Sequence, residues 1–69
     1  MKISARNVIK GKILSVTRGA TTSHIRLEIG DGAVVTASIT NEAVDDLGLV
    51  EDQQAYAVIK ASDVMIGVD

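Results

Sequence analysis

Near the start of the chain, Ser4-Ala5-Arg6-Asn7 places a hydroxyl, a guanidinium and an amide in one short polar stretch. Lys2 precedes it, and Lys10 and Lys12 follow. A second polar stretch, Lys60-Ala61-Ser62, stands near the other end, at the close of an apolar run. Brought together, the two stretches would supply two cations, two hydroxyls and several backbone amides. That set suits a tetrahedral dianion, which wants donors on several sides and no acceptor aimed at it. Hydrogen bonds from ionised donors to an oxyanion belong to the strong class. On spacing alone a plainer alternative stands beside this one, with Arg6 and Lys60 as ordinary solvated cations.

Other chemistries find few residues to rest on. The chain has no Cys, which removes disulfides, thiolate nucleophiles and thiolate metal sites. The single His24 falls on the polar side of an alternating stretch and reads as a surface residue rather than a general base. Asp45 and Asp46 are adjacent on a short helical segment, so they point apart and read as solvated charge that complements the helix dipole. Gly30-Asp31-Gly32 is explained by hairpin geometry rather than by a phosphate-cradling loop. The expectation is therefore a protein that is not an enzyme, with no cofactor and no directly coordinated metal. A nucleic-acid-binding barrel would stack bases on aromatic side chains in a basic groove. Tyr56 is the one aromatic residue and the net charge is −2, so nucleic acid is not the expected partner. No apolar span approaches the ~20 residues that a membrane helix requires, and no signal peptide is visible. Together with the absence of Cys, this leads to a cytoplasmic expectation.

The elements that must position the two stretches are strands. At 69 residues the chain reads as one domain, 1–69. A domain this small buries only ~60% of its unfolded surface and is marginal alone. With disulfides and metals removed as supports, oligomerisation is the expected one. Apolar mass is mainly Val and Ile, which suit pleated, half-buried surfaces. Residues 2–18 read as one long or bent strand that changes its buried face after Leu14, with Gly11 marking a bulge or a close backbone approach. Ile25, Leu27 and Ile29 alternate with His24, Arg26 and Glu28 in a second strand, and 33–40 is the return strand. Thr40 or Asn41 caps a short helix whose Val44 and Leu47 can face the core, and Gly48 stops it. Residues 55–60 and 64–68 read as two further strands around a turn or bulge at 61–63. Three strands, a short helix and two strands are the order of an all-β, OB-like five-stranded β-barrel with its helix between strands 3 and 4.

The chain resembles, over essentially its full length, the molybdate-binding Mop proteins, or molbindins. Related Mop/TOBE domains occur in molybdate-responsive regulators and transporter ATPases. The residues that carry the likeness are Ser4-Ala5-Arg6-Asn7 with Lys10-Gly11-Lys12, and Val58-Ile59-Lys60-Ala61-Ser62-Asp63-Val64-Met65-Ile66. Ser38-Ile39-Thr40 and Leu47-Gly48 add to it. The resemblance implies an OB-like barrel assembled as a hexamer, a trimer of dimers, that binds molybdate or tungstate at subunit interfaces. By position, it implies that Ser4 and Arg6 hold the oxyanion beside the Ala5 backbone. Lys60, Ser62 and the Ala61 amide would join them, and the segment at Thr40 would approach from a neighbouring chain. The related pattern often carries a hydroxyl where this chain has Ala43, so one side-chain donor is missing. No DNA-binding or ATPase segment lies within the 69 residues, which implies the free-standing form that stores molybdenum. A molybdate-sensing regulatory module is the alternative, ahead of an OB-type nucleic-acid-binding domain.

Overall fold

The longest strand, β1 (Asn7–Arg18), is long enough to serve two neighbours. Its first half, Asn7 to Lys12, pairs antiparallel with β4 (Gln54–Ile59). Its second half, Lys12 to Arg18, pairs antiparallel with β2 (Thr22–Gly30), which pairs in turn with β3 (Ala33–Thr40). The computed structural model, which describes residues 1–69, therefore holds one sheet in the order β3-β2-β1-β4, curled into a half-barrel. One short helix, α1 (Asn41–Leu47), joins β3 to β4. The all-β, OB-like reading holds, and no helix is long and apolar enough to cross a membrane.

Alternation along β2 sends Ser23, Ile25 and Leu27 inward and leaves His24 and Arg26 exposed. Across from them, the register steps from Ile13↔Leu27 to Ser15↔Arg26, so Leu14 is an extra residue in β1. The bulge reverses the alternation. Ile13 and Val16 thus share the inner face, opposite Leu27 and Ile25. This is the physical cause of the change of buried face after Leu14. Gly11 is not the bulge. It is a close approach, because a methyl there would stand against the Glu28 carbonyl oxygen and 2.9 Å from Leu27 Cγ. The core formed around β1 and β2 is small: Ile13, Ile25, Leu27 and, from α1, Val44.

Local signals place the turns. Gly30, Asp31 and Gly32 all have positive φ (134°, 46° and 82°), which glycine adopts freely and Asp tolerates. Thr40 caps α1, its hydroxyl accepting from the Ala43 amide at 3.0 Å, and Gly48 closes the helix in the left-handed conformation at φ 63°. Val44 is buried as expected, whereas Leu47 is 65% exposed and stands on the rim of an open face instead of in the core.

Two boundaries and one strand differ from the expectation. Strand β1 begins at Asn7 rather than near residue 2, because β4 offers its last partner at Ile59. Strand β4 covers 54–59. Residues 64–68 join no strand, so four of the five expected strands form. Their composition suits a strand, but a strand also needs a partner, and they pair with neither open edge of the sheet, β3 or β4. Val64, Met65, Ile66 and Val68 are left 45%, 92%, 88% and 94% exposed. Inside the half-barrel, a largely apolar groove of about 600 Å³ stays open, lined by residues that include Ile13, Leu27, Ile39, Leu47 and Ala57. The chain exposes 5330 Å², against ~4,100 Å² expected for a compact monomer of its mass.

Candidate oxyanion site

The two polar stretches are the two loose ends of one ladder. The β1–β4 pairing runs from Lys12↔Gln54 to Asn7↔Ile59 and stops there. Arg6, Ala5 and Ser4 precede the last paired residue on one side, and Lys60, Ala61 and Ser62 follow its partner on the other. On one side the chain bends at Ser4 and Arg6. On the other it enters a single 3-10 turn, Ala61–Asp63, closed by Asp63 N–H donating to the Lys60 carbonyl at 2.9 Å. The structure thereby brings Ser4, Ala5 and Arg6 to the same end of the sheet as Lys60, Ala61 and Ser62. The Asn7 side chain spans the junction, its Nδ2 donating to the Ile59 carbonyl at 3.1 Å.

Ser4, Arg6, Lys60 and Ser62 are exposed, and Ala5 is half-buried. Neither Arg6 nor Lys60 is in an ion pair. The acids that do pair are at other places, Asp45 with Arg18 at 2.8 Å and Asp52 with Lys12 at 3.8 Å. Asp63, three residues past Lys60, pairs with neither cation. Within the 3-10 turn, the Ala61 and Ser62 amides donate to no backbone carbonyl. This end of the sheet therefore carries two cations, two hydroxyls and two unengaged amides. Cations, hydroxyls and free amides are all donors to an oxyanion, and those from charged groups form the stronger bonds.

Thr40 lies elsewhere. It pairs with Thr22 beside the Arg18↔Ser23 end of β1, the far end of that strand from Asn7. One chain does not join Thr40 to Arg6 and Lys60. Its hydroxyl oxygen already accepts from Ala43 N–H, which leaves the hydroxyl hydrogen to donate outward. No group of three or more His, Cys, Asp and Glu residues comes together, and His24 is exposed on the outer face of β2.

Two polar residues carry structural weight beyond the sequence reading. Asn7 stands in the Ser4-Ala5-Arg6-Asn7 stretch, and its side chain bonds the backbone across the ladder. The available signal was an Asn inside a strand, where that residue type is depleted. Ser23 is fully buried, and its Oγ donates to Asn41 Oδ1. Asn41 Nδ2 donates to the Gly19 carbonyl at 3.0 Å, so the pair holds the start of α1 against the β1–β2 turn. Alternation with Ile25 and Leu27 already placed Ser23 on the inner face.

Comparison with known proteins gives the chain's family. Residues 3–66 match the TOBE domain. The chain is 44% identical over 69 residues to the probable molybdenum-pterin-binding protein of Haemophilus influenzae, covering all of both chains. It superimposes on the molybdate-binding protein from Sporomusa ovata with a TM-score of 0.91 at 29% identity, covering 99% of this chain and all of the other. The cytoplasmic molybdate-binding protein ModG, with molybdate bound, gives a TM-score of 0.93 at 39% identity. All of this chain matches there, and it spans 49% of ModG. With a TOBE domain along nearly its whole length and a full-length relative of this kind, the chain belongs to the molybdenum-pterin-binding (Mop) family of TOBE-domain proteins.

Proposed function

We propose that this protein is a binding protein rather than an enzyme. It holds molybdate, and tungstate by the same geometry, for intracellular storage and homeostasis of molybdenum. The observation that supports it is the β1–β4 ladder, whose last pair, Asn7↔Ile59, sets Ser4-Ala5-Arg6 and Lys60-Ala61-Ser62 at one end of the sheet. Arg6 and Lys60 supply charge, Ser4 and Ser62 supply hydroxyl donors, and the Ala5 and Ala61 backbone supplies amides. Molybdate is a deprotonated tetrahedral dianion and accepts from all of them. Molybdate-bound ModG and the Sporomusa ovata protein support that choice of anion.

The site is shared between subunits of a homo-oligomer, a hexamer built as a trimer of dimers. Thr40 enters from a neighbouring copy, since within one chain it lies at the far end of β1. Two observations support assembly. The chain exposes about 1,200 Å² more than a compact monomer of its mass, which exceeds the ~800 Å² that each partner gives to a standard interface. An apolar tail at Val64–Val68 and an open apolar groove are both left without a partner. Assembly also suits the ligand, because burying a dianion in one small domain would be costly. A ligand that binds only the assembled form stabilises it in return.

Equilibrium dialysis against molybdate, with bound molybdenum quantified per chain, tests the reading. The wild type retains molybdate at micromolar free ligand. Arg6→Ala and Lys60→Ala each weaken binding about 10- to 100-fold, the size expected for losing a hydrogen bond to a charged group, while the oligomer persists. Normal binding by both variants would move the site elsewhere.

A further inference from the structure

Asn7 is the one residue of the Ser4-Ala5-Arg6-Asn7 stretch that the binding role leaves unused. It pairs with Ile59, the last residue of β4, and its Nδ2 donates to the Ile59 carbonyl at 3.1 Å. This is a side-chain bond across the final rung, between residues 52 apart in sequence. Beyond it no ladder bond holds the two chain ends together. The next residues outward are Arg6 and Lys60, two cations that are in no ion pair. The Asn7 bond therefore closes the last rung before both of them. The Ile59 carbonyl also belongs to the peptide that leads into Lys60. Fixing it sets the direction in which Lys60 leaves the sheet and in which the Ala61 amide points.

We infer that Asn7 is a positioning residue for the oxyanion site: its amide holds the ladder end closed, so that Arg6 and Lys60 stand ready at one anion before it arrives. This rests on the reading of Arg6 and Lys60 as oxyanion ligands. Preorganised donors bind better because less ordering is left to the moment of binding. Asn7 itself donates to Ile59 and does not touch the ligand.

The informative variant is Asn7→Val. Val favours a strand more than Asn does, so the substitution removes the clamp without weakening the strand. Molybdate titration by calorimetry, with oligomeric state followed by sedimentation, is run on wild type, Asn7→Val, Arg6→Ala, Lys60→Ala and the Asn7→Val/Lys60→Ala pair. Asn7→Val weakens molybdate affinity roughly five- to tenfold, the equivalent of one net hydrogen bond, with the melting temperature and oligomer retained. In the Lys60→Ala background the same substitution costs less than about twofold, because the group that it positions is gone. Wild-type affinity in Asn7→Val, or full multiplication of the two effects in the double variant, overturns the positioning role while leaving the site intact. Wild-type affinity in both Arg6→Ala and Lys60→Ala overturns the site and the positioning role together.

Discussion

Gly11→Ala probes the way β1 is shared between its two neighbours. Gly11 pairs with Ala55 of β4, one residue before Lys12 meets Glu28 of β2. A methyl there would stand against the Glu28 carbonyl oxygen and 2.9 Å from Leu27 Cγ, inside the 3.0 Å that real Cβ atoms essentially never enter. The Glu28 oxygen is backbone in the middle of a ladder and cannot turn aside as the end of a side chain would. Relief requires β1 and β2 to separate locally, and Leu27 to leave its place beside Ile13 in the core. Overpacking of this kind costs about 1–3 kcal/mol. At roughly 0.05–0.15 kcal/mol per residue, a chain of 69 residues has about 3–10 kcal/mol in all. A loss near 2 kcal/mol then lowers the melting temperature by about 10 °C or more. Circular-dichroism melting at one fixed protein concentration reads it, the concentration being held because assembly contributes to stability. Lys10→Ala, at an exposed neighbour on the same strand, serves as the control and moves the melt by a few degrees at most. A Gly11→Ala melt within about 3 °C of wild type would refute the close-approach account of the half-barrel.

Three further outcomes follow from other parts of the chain. Thr40→Val removes the cap on the Ala43 amide and costs about 1 kcal/mol by thermal melting; an unchanged melt would show that the cap contributes nothing. Deleting residues 64–69 removes Val64, Met65, Ile66 and Val68 and reduces the oligomer to smaller species by sedimentation, whereas an unaltered assembly would remove the tail from the interface. Arg18→Ala breaks the 2.8 Å pair with Asp45, but both side chains are about half or more exposed, so stability changes by less than about 1 kcal/mol in chemical denaturation. A larger loss would give that pair a structural role which its exposure argues against.

Features decided by neighbours in sequence were readable in advance. Gly30-Asp31-Gly32 makes its turn because of what those residues tolerate, and Thr40 and Gly48 end their helix for the same kind of reason. The alternation of Ile25 and Leu27 with His24 and Arg26 named the buried face of β2. Features decided by distant partners were not readable. Residues 64–68 have strand composition, but pairing depends on where the chain carries them, and they pair with neither open edge, β3 or β4. The extra residue at Leu14 is a matter of register against β2, so only a change of face was visible beforehand. The motif at Ser4-Ala5-Arg6-Asn7 could be connected to Lys60-Ala61-Ser62 only as a conjecture from residue types. Their common end of the sheet depends on Asn7 meeting Ile59, 52 residues away. Thr40 shows the reverse case, since nothing in one chain draws it to that end.

The most direct test is a crystal structure grown with molybdate and measured at a wavelength where molybdenum scatters anomalously. The account predicts a molybdenum peak between Ser4–Arg6 and Lys60–Ser62, at a boundary between subunits, with Thr40 of a neighbouring copy facing it. Peaks confined to other places, with Arg6 and Lys60 contacting only solvent, would contradict it.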